Sequence, residues 1–369
     1  MKNTFGNNIS LTLFGESHGA EIGAVLDGIA PGIKIDEDFI RHQLSLRRPS
    51  GAISTARMEK DAFRIVSGVF EGYTTGAPIC IMIPNENTKS KDYSKTKDLA
   101  RPGHADYTAN CKYHGFQDYR GGGHFSGRLT APVVAACAVI IFALKEKGIL
   151  IGTHIASLCG INDGKFDKNS LAEDINKLSS SEFAVLDSEA EKSMKDAIIK
   201  ARNEGDSLGG VLETAILGVP VGVGEPWFDS VESMISHAMF SIPAIKGVEF
   251  GEGFGFAEMK GSEANDPFRI DGDKVITVTN NNGGVNGGIT NGMPILFRCA
   301  VKPTPSIFKE QNTVDMAKEE NATLSLEGRH DPAVIHRARV VVDSMAAFVI
   351  ADLLVGRYGT DFLAGEAKK

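Results

Sequence analysis

The sequence predicts an α+β fold, a single large domain over residues 1–369 with mixed or antiparallel sheets packed against helices. Three observations carry this expectation. Strand-like and helix-like stretches alternate without the regular βαβ rhythm of a parallel sheet. No segment repeats at a period of about 20–50 residues. The 369 residues are 42% hydrophobic and 23% charged, a composition that suits a chain with a sizeable core and excludes disorder.

Taken in order, residues 9–14 (ISLTLF) alternate weakly and read as a short strand ending at Gly15. Residues 20–31 are glycine-interrupted and strand-like. Asp36 to Arg47 reads as a helix, with Phe39, Ile40 and Leu44 on one face and acidic residues at its start. Residues 47–62 lose the pattern and read as a functional loop. Segments 63–70 and 77–84 read as strands, and 85–128 as a long, polar, turn-rich loop. Thr130 to Lys147 reads as a helix closed by Gly148. Ser188 to Arg202 is a further helix, with Ser188 and Glu191 as a capping box. Strands are expected at 211–219, 275–278 and 295–301. Asp331 and Pro332 then open a long helix to Leu354, with Asp331 as N-cap and Pro332 at the first helical position.

The formal charge is −8, which argues against a nucleic-acid partner or an anionic membrane surface. The balance is uneven: residues 1–132 hold 16 Lys/Arg against 14 Asp/Glu, so a local basic site for a small anion is expected inside an acidic chain. Five widely spaced cysteines show neither a CxxC nor zinc spacing, which points to a reducing, cytoplasmic compartment and no metal. The N-terminus lacks the apolar run of an export signal. The apolar stretch from Leu129 to Leu144 falls short of the ~20 residues of a membrane span and reads as a buried helix.

Four clusters set titratable or cationic side chains beside glycine or proline: residues 15–19 (GESHG), 101–106 (RPGHAD), 118–128 (DYRGGGHFSGR) and 328–332 (GRHDP). Glycine lets backbone amides approach an anion, and arginine offers a bidentate fork to phosphate or carboxylate. The first cluster also matches GxSxG, which raises a hydrolase reading with Ser17 as nucleophile. That motif needs a helix immediately afterwards, and residues 20–31 do not provide one. His18 and His104 sit in glycine-flanked turns and are candidate acid–base groups. His42, His114, His154, His237 and His336 are expected to be structural. Asp331 is open to two readings, helix cap or proton acceptor. Residues 280–292 (NNNGGVNGGITNG) read as tandem turns or as the lining of a flat cofactor. Lys302 to Ser306 (KPTPS) resembles a phosphate cradle. A glycine-rich nucleotide or RNA binder is the third reading, with a single RGG fragment as its only support.

As a set, these residues resemble the chorismate synthase family from Gly15 to Leu354. The motifs GESHG, RRP at 47–49, RPGHAD, DYRGGG with SGR, GDSLGG at 205–210, the run at 281–289, KPTPS and GRHDP occur in order. The resemblance implies a β/α sandwich that is typically a homotetramer. It implies conversion of 5-enolpyruvylshikimate 3-phosphate to chorismate by 1,4-anti elimination, with reduced FMN and no net redox change. His18 would then protonate the departing phosphate, His104 would lie near flavin N1, and Asp331 would assist proton removal through N5, with Ser17 and Ser126 tuning those contacts. Arg47, Arg48, Arg128 and Arg337 would neutralise the substrate, Arg47 also matching an NADPH contact. The flavin positions would be His124, Phe125, Ser126, Pro243, Ala244, Gly287, Lys302, Pro303, Thr304, Pro305, Ser306 and Arg329. Three residues depart from the family pattern: His124 and Ile53 where arginine is frequent, and Pro243 where asparagine occurs. Ile53 suggests an enzyme that takes flavin reduced elsewhere.

Overall fold

A two-residue burial rhythm builds the first sheet. In the strand Ile79–Pro84, Ile79, Ile81 and Ile83 turn inward and are fully buried, each contributing about 1.5–3 kcal/mol. This computed structural model describes residues 2–49, 51, 53–54, 60–86, 97–326 and 331–365. The first sheet runs in the order Thr4–Phe5, Ser10–Gly15, Glu21–Asp27, Ile79–Pro84, Arg64–Ser67. The second runs Ile245–Phe250, Ile295–Val301, Gly210–Leu217, Leu150–Leu158, Ile161–Asn162. The described strand pairs within both sheets are antiparallel, so the α+β expectation holds and neither sheet is mixed.

Helices fill the space between the sheets. Thr130–Glu146 packs on strands Glu21–Asp27 and Ile79–Pro84 and on helix Glu37–Arg47. Ile335–Tyr358 packs on the second sheet and on helix Val231–Ser241, and the two long helices lie against each other. The result is four layers: sheet, helices, helices, sheet. This position explains why Thr130–Glu146 is apolar all round, with 12 of its 17 residues buried. By length and composition Gly127–Glu146 matches a membrane span, yet 78% of its most apolar window is buried inside the protein. Alanines on both central helices, among them Ala135, Ala138, Ala346 and Ala347, are fully buried and permit a close approach of the two helices.

Several elements differ from the sequence reading. The last long helix begins at Ile335, with Val334 at the N-cap and no side-chain cap, so Asp331 is not the cap and Pro332 precedes the helix. Asp187, not Ser188, caps helix Ser188–Asn203, accepting from Glu189 N. The stretch read as loop from 85 to 128 contains helix Asp106–Tyr113.

The topology gathers one set of loops at one end of the layers. In the first sheet Gly15 pairs with Ile22 and Glu21 with Pro84, so the 15–21 turn and residue 85 share an edge. In the second sheet Val301 pairs with both Gly210 and Ile245, which brings residues 205–209, 244 and 302–306 to a common end.

Candidate active site

At that end, a chain of direct contacts closes into a ring. Ser17 Oγ lies 3.3 Å from Arg120 O and 3.2 Å from Gly121 O, and 3.2 Å from His18 Nδ1. These contacts fix the Ser17 hydroxyl between the glycine loop and the His18 ring and hold the imidazole in place. Gly121, with φ +58°, presses on this ring: a Cβ there would lie 2.1 Å from His18 Cε1. A Cβ on Gly122 would lie 3.3 Å from His104 Cε1. Both histidines therefore flank one glycine pair.

His104 is oriented from behind. Its Nδ1 is 2.9 Å from Asp106 Oδ1 and 3.2 Å from Arg101 Nη2, and Arg101 also grips Asp106 through Nε and Nη2, each at 2.7 Å. Burial pushes the Asp106 carboxyl up, but hydrogen bonds from Arg101 and His104 outweigh it and hold the group well below the usual carboxylate range.

The next contacts lead to the cradle. Lys302 Nζ donates to Gly103 O, and Ser207 Oγ donates to Thr304 O at 2.7 Å. Lys302 N donates to Ala244 O at 2.9 Å, so Pro243 and Ala244 also border this loop. Leu208 N donates to Pro332 O at 2.7 Å, and Asp331 accepts from Arg337 Nη1. Arg337 Nε donates to Arg47 O at 2.8 Å. Arg47 Nη2 donates to Asp61 Oδ2 at 2.8 Å, and Asp61 Oδ1 accepts from Arg128. Arg128 Nε reaches Asn85 Oδ1 at 3.1 Å, and Asn85 Nδ2 donates to Glu16 O and Gly19 O at 3.0 Å each. That step returns to the turn carrying Ser17 and His18. Among the described residues of the ring, Arg47, Arg101, Arg120, Arg128, Lys302 and Arg337 face the carboxylates Glu16, Asp61, Asp106, Asp118 and Asp331, a positive excess suited to an anion.

Most of the residues singled out in the sequence thus converge. Ser126 caps the turn ahead of Arg128, whose backbone N–H donates to its hydroxyl. His124 Nδ1 donates to Gly15 O at 2.8 Å, and Phe125 is partly exposed beside Tyr113. Ile53 is buried. Arg48 stands outside the ring; with Arg41, Lys60 and Asp61 it lines a cavity of about 390 Å³ that no histidine of the site borders. Arg329 lies outside the described residues. Gly287 is the exception. It forms the tight turn between Val285–Asn286 and Ile289–Thr290, ahead of Ile295, whereas Lys302 follows Val301 at the other end of that strand. Seven strand residues separate the two ends by roughly 20 Å.

For a planar, phosphate-bearing cofactor, the fitting residues are Lys302 to Ser306 with His104 and Ala244. Thr304 Oγ1 is buried there without a protein partner, an acceptor–donor that a ligand would satisfy. Among the described residues no group of three His, Cys, Asp or Glu side chains has a metal-holding arrangement. The hydrolase reading fails on geometry: Ser17 is fully buried, and strand Glu21–Asp27, not a helix, follows the turn. The five other histidines have structural roles. His42 meets Ser179 O, His114 ends helix Asp106–Tyr113, His154 is clamped by Asp163 and Glu213, His237 packs on Phe5, and His336 meets Ser54.

Sequence reasoning singled out Arg101 in the 101–106 cluster and missed Asp61, Asn85 and Ser207 as site residues. Asp61 follows Arg57, Glu59 and Lys60 in a mixed-charge stretch that gives it no distinct local signal; Asn85 is marked only as the polar residue that ends an apolar strand.

Comparison with known proteins follows the same ground. The family model for chorismate synthase matches residues 9–355. The chain is 47% identical to the chorismate synthase of Pyrococcus abyssi over 353 residues, covering 95% of this chain and 97% of that one. It is 47% identical to that of Sulfurimonas denitrificans, covering 97% of each. A solved structure titled "Crystal Structure of Chorismate Synthase" superposes with a TM-score of 0.76 at 32% identity, covering 96% of this chain and 94% of the other.

Proposed function

The chain belongs to the chorismate synthase family, and from that premise we propose that the ring of cationic loops is where 5-enolpyruvylshikimate 3-phosphate loses its phosphate. The enzyme is a lyase that forms chorismate by 1,4-anti elimination, and its substrate is a small molecule. The family requires reduced flavin; bound as FMN in the cradle, it would supply electron density and a hydrogen acceptor to an elimination whose C6 hydrogen is not acidic.

The residues divide the remaining work. His18, with Nδ1 tied to Ser17, presents Nε2 as a proton donor to the departing phosphate oxygen. His104, backed by Asp106 and Arg101, holds a proton at the edge of the cofactor cradle. Arg47, Arg128 and Arg337 neutralise the phosphate and two carboxylates of the substrate, and Arg48 adds positive charge from the cavity it lines with Asp61. Lys302, Thr304, Ser306, Pro303, Pro305, Ala244, Pro243 and Arg329 would hold the flavin, together with His124, Phe125 and Ser126. Asp331 accepts a proton late in the cycle, and its contact with Arg337 holds the carboxylate in place. The single observation behind this assignment is the closed ring, which joins eight segments distant in sequence through direct contacts.

Three coarser expectations accompany it. A single domain is supported by one continuous core from Ile9 to Leu363. A homotetramer is supported by exposed Trp227, Phe228, Phe254, Phe268 and Ile270, apolar surface of the kind that another copy covers. A cytoplasmic, reducing setting is supported by five free cysteines.

The decisive test is an anaerobic assay with dithionite-reduced FMN and 5-enolpyruvylshikimate 3-phosphate, following chorismate absorbance. His18→Ala and His104→Ala should each lower turnover by ~10²-fold or more. Full activity in either variant removes that histidine from the assignment.

A further inference from the structure

We propose that Asp61 is a positioning residue for the substrate: an internal counter-ion whose two oxygens fix the spacing of the Arg47 and Arg128 guanidinium groups, so that an incoming anion meets a preformed cationic pair. The inference rests on the reading that those two arginines bind the anionic groups of the substrate.

The geometry is specific. Asp61 Oδ2 accepts from Arg47 and Oδ1 from Arg128, one oxygen to each cation. The Asp61 side chain is 0% exposed, and those of Arg47 and Arg128 are 6% and 5% exposed. Two guanidinium groups this dry cannot stay together without an anion between them. Burial by itself pushes the Asp61 carboxyl up, but Arg47 and then Arg128 draw it below the usual carboxylate range, so it stays charged at neutral pH.

The two arginines are not equally committed. The remaining donors of Arg128 reach Asn85 Oδ1 and Pro84 O, which anchors it. Arg47 reaches Thr130 Oγ1 only at 3.5 Å, and its Nε is buried with no partner. A buried, unsatisfied guanidinium nitrogen beside a net positive pair points to a ligand acceptor. The backbone is bent to this purpose as well: Asp61 has φ +50°, a left-handed conformation uncommon outside glycine and found where surroundings over-determine it.

The experiment measures equilibrium binding of 5-enolpyruvylshikimate 3-phosphate to the flavin-free protein by calorimetry, and KM and kcat with reduced FMN, on variants shown to be folded by circular dichroism. Asp61→Asn should raise Kd and KM together by about tenfold or more while kcat stays within about threefold. Asp61→Glu, which keeps the charge, should fall between that variant and the parent. If Asp61→Asn does not fold, Asp61→Glu decides, with at least a threefold rise in Kd expected. Unchanged or tighter binding in the deciding variant overturns the inference, as does a loss confined to kcat. Arg47→Lys and Arg128→Lys separate the two levels: parental Kd in both overturns the arginine reading itself, whereas weakened binding there with parental Kd for Asp61→Asn overturns only the role of Asp61.

Discussion

His18 and His104 stand on either side of a single two-glycine step, with Gly121 against the first imidazole and Gly122 against the second. The triple glycine is therefore a spacer of minimal width, and the three positive φ values at Gly121, Gly122 and Gly123 let the chain turn within it.

This contact makes Gly121→Ala a sensitive probe. A Cβ there would lie 2.1 Å from His18 Cε1, and the left-handed backbone adds about 1–2 kcal/mol for a non-glycine residue. His18 must move, and displacement of a reacting group by about 1 Å can cost ~10²-fold in rate. Turnover should fall by that order. Gly122→Ala, whose Cβ would sit 3.3 Å from His104, should lose less. Parental turnover in Gly121→Ala would show that His18 has no fixed position in the reaction.

The placement of Asp331 changes what its amide should do. An asparagine serves well as an N-cap, so a capping role predicts unchanged stability for Asp331→Asn. The structure instead pairs Asp331 with Arg337, the two side chains only 13% and 17% exposed. Burial pushes the Arg337 guanidinium down, and Asp331 opposes that. Loss of the charge should lower stability by about 1–3 kcal/mol as well as the rate, read from urea midpoints and kcat/KM. A variant with unchanged midpoint would return Asp331 to a purely catalytic role.

A pH effect on stability follows from His154. Its Nδ1 is 2.7 Å from Asp163 and its Nε2 3.1 Å from Glu213. Burial alone pushes this imidazole down, but the hydrogen bonds to Asp163 and Glu213 prevail and raise its pKa. A raised folded value means the stabilisation is fully present below the ordinary value of ~6.5 and is lost as pH rises through the folded one. Urea unfolding at pH ~6 and ~9 should show a loss of about 1–3 kcal/mol that His154→Gln does not share. Equal losses in both proteins would place the pH dependence elsewhere.

What the sequence made legible follows from where the information lies. Strand Ile295–Val301 and helix Glu37–Arg47 were readable because their burial rhythm and, for the helix, the Asp36 cap are local. Strand Leu150–Leu158 was not, since Thr153 and His154 interrupt its apolar run and are buried only by partners from elsewhere, Thr214 and Asp343 for one and Asp163 and Glu213 for the other. Helix Asp106–Tyr113 buries Ala109 alone, so no apolar stripe announced it. The site divides the same way. Glycine, histidine and arginine cluster locally and were visible. Asp61 and Asn85 become functional only through contacts across the fold, with Arg128 and with the turn at Glu16 and Gly19. Asp331 misled because Asp-Pro fits a helix start, while Arg337 claims the carboxylate.

The cofactor cradle can be tested at one hydroxyl. Thr304 Oγ1 is buried without a partner in the protein, while Thr304 O is held by Ser207 and the loop is pinned by Lys302 to Gly103. An unsatisfied buried hydroxyl costs about 1–3 kcal/mol, so its replacement by an isosteric methyl relieves that cost in the ligand-free protein. Thr304→Val should therefore leave thermal stability unchanged or slightly higher without flavin. If the hydroxyl faces the cofactor, the same change should weaken FMN binding by about 5–10-fold, the worth of one hydrogen bond of ~1–1.5 kcal/mol. Fluorescence titration of FMN against the parent and the variant reads both halves when paired with thermal melts. Destabilisation with unchanged flavin affinity would mean the hydroxyl serves the fold, and the cradle would have to be placed on other atoms of the Lys302 to Ser306 loop.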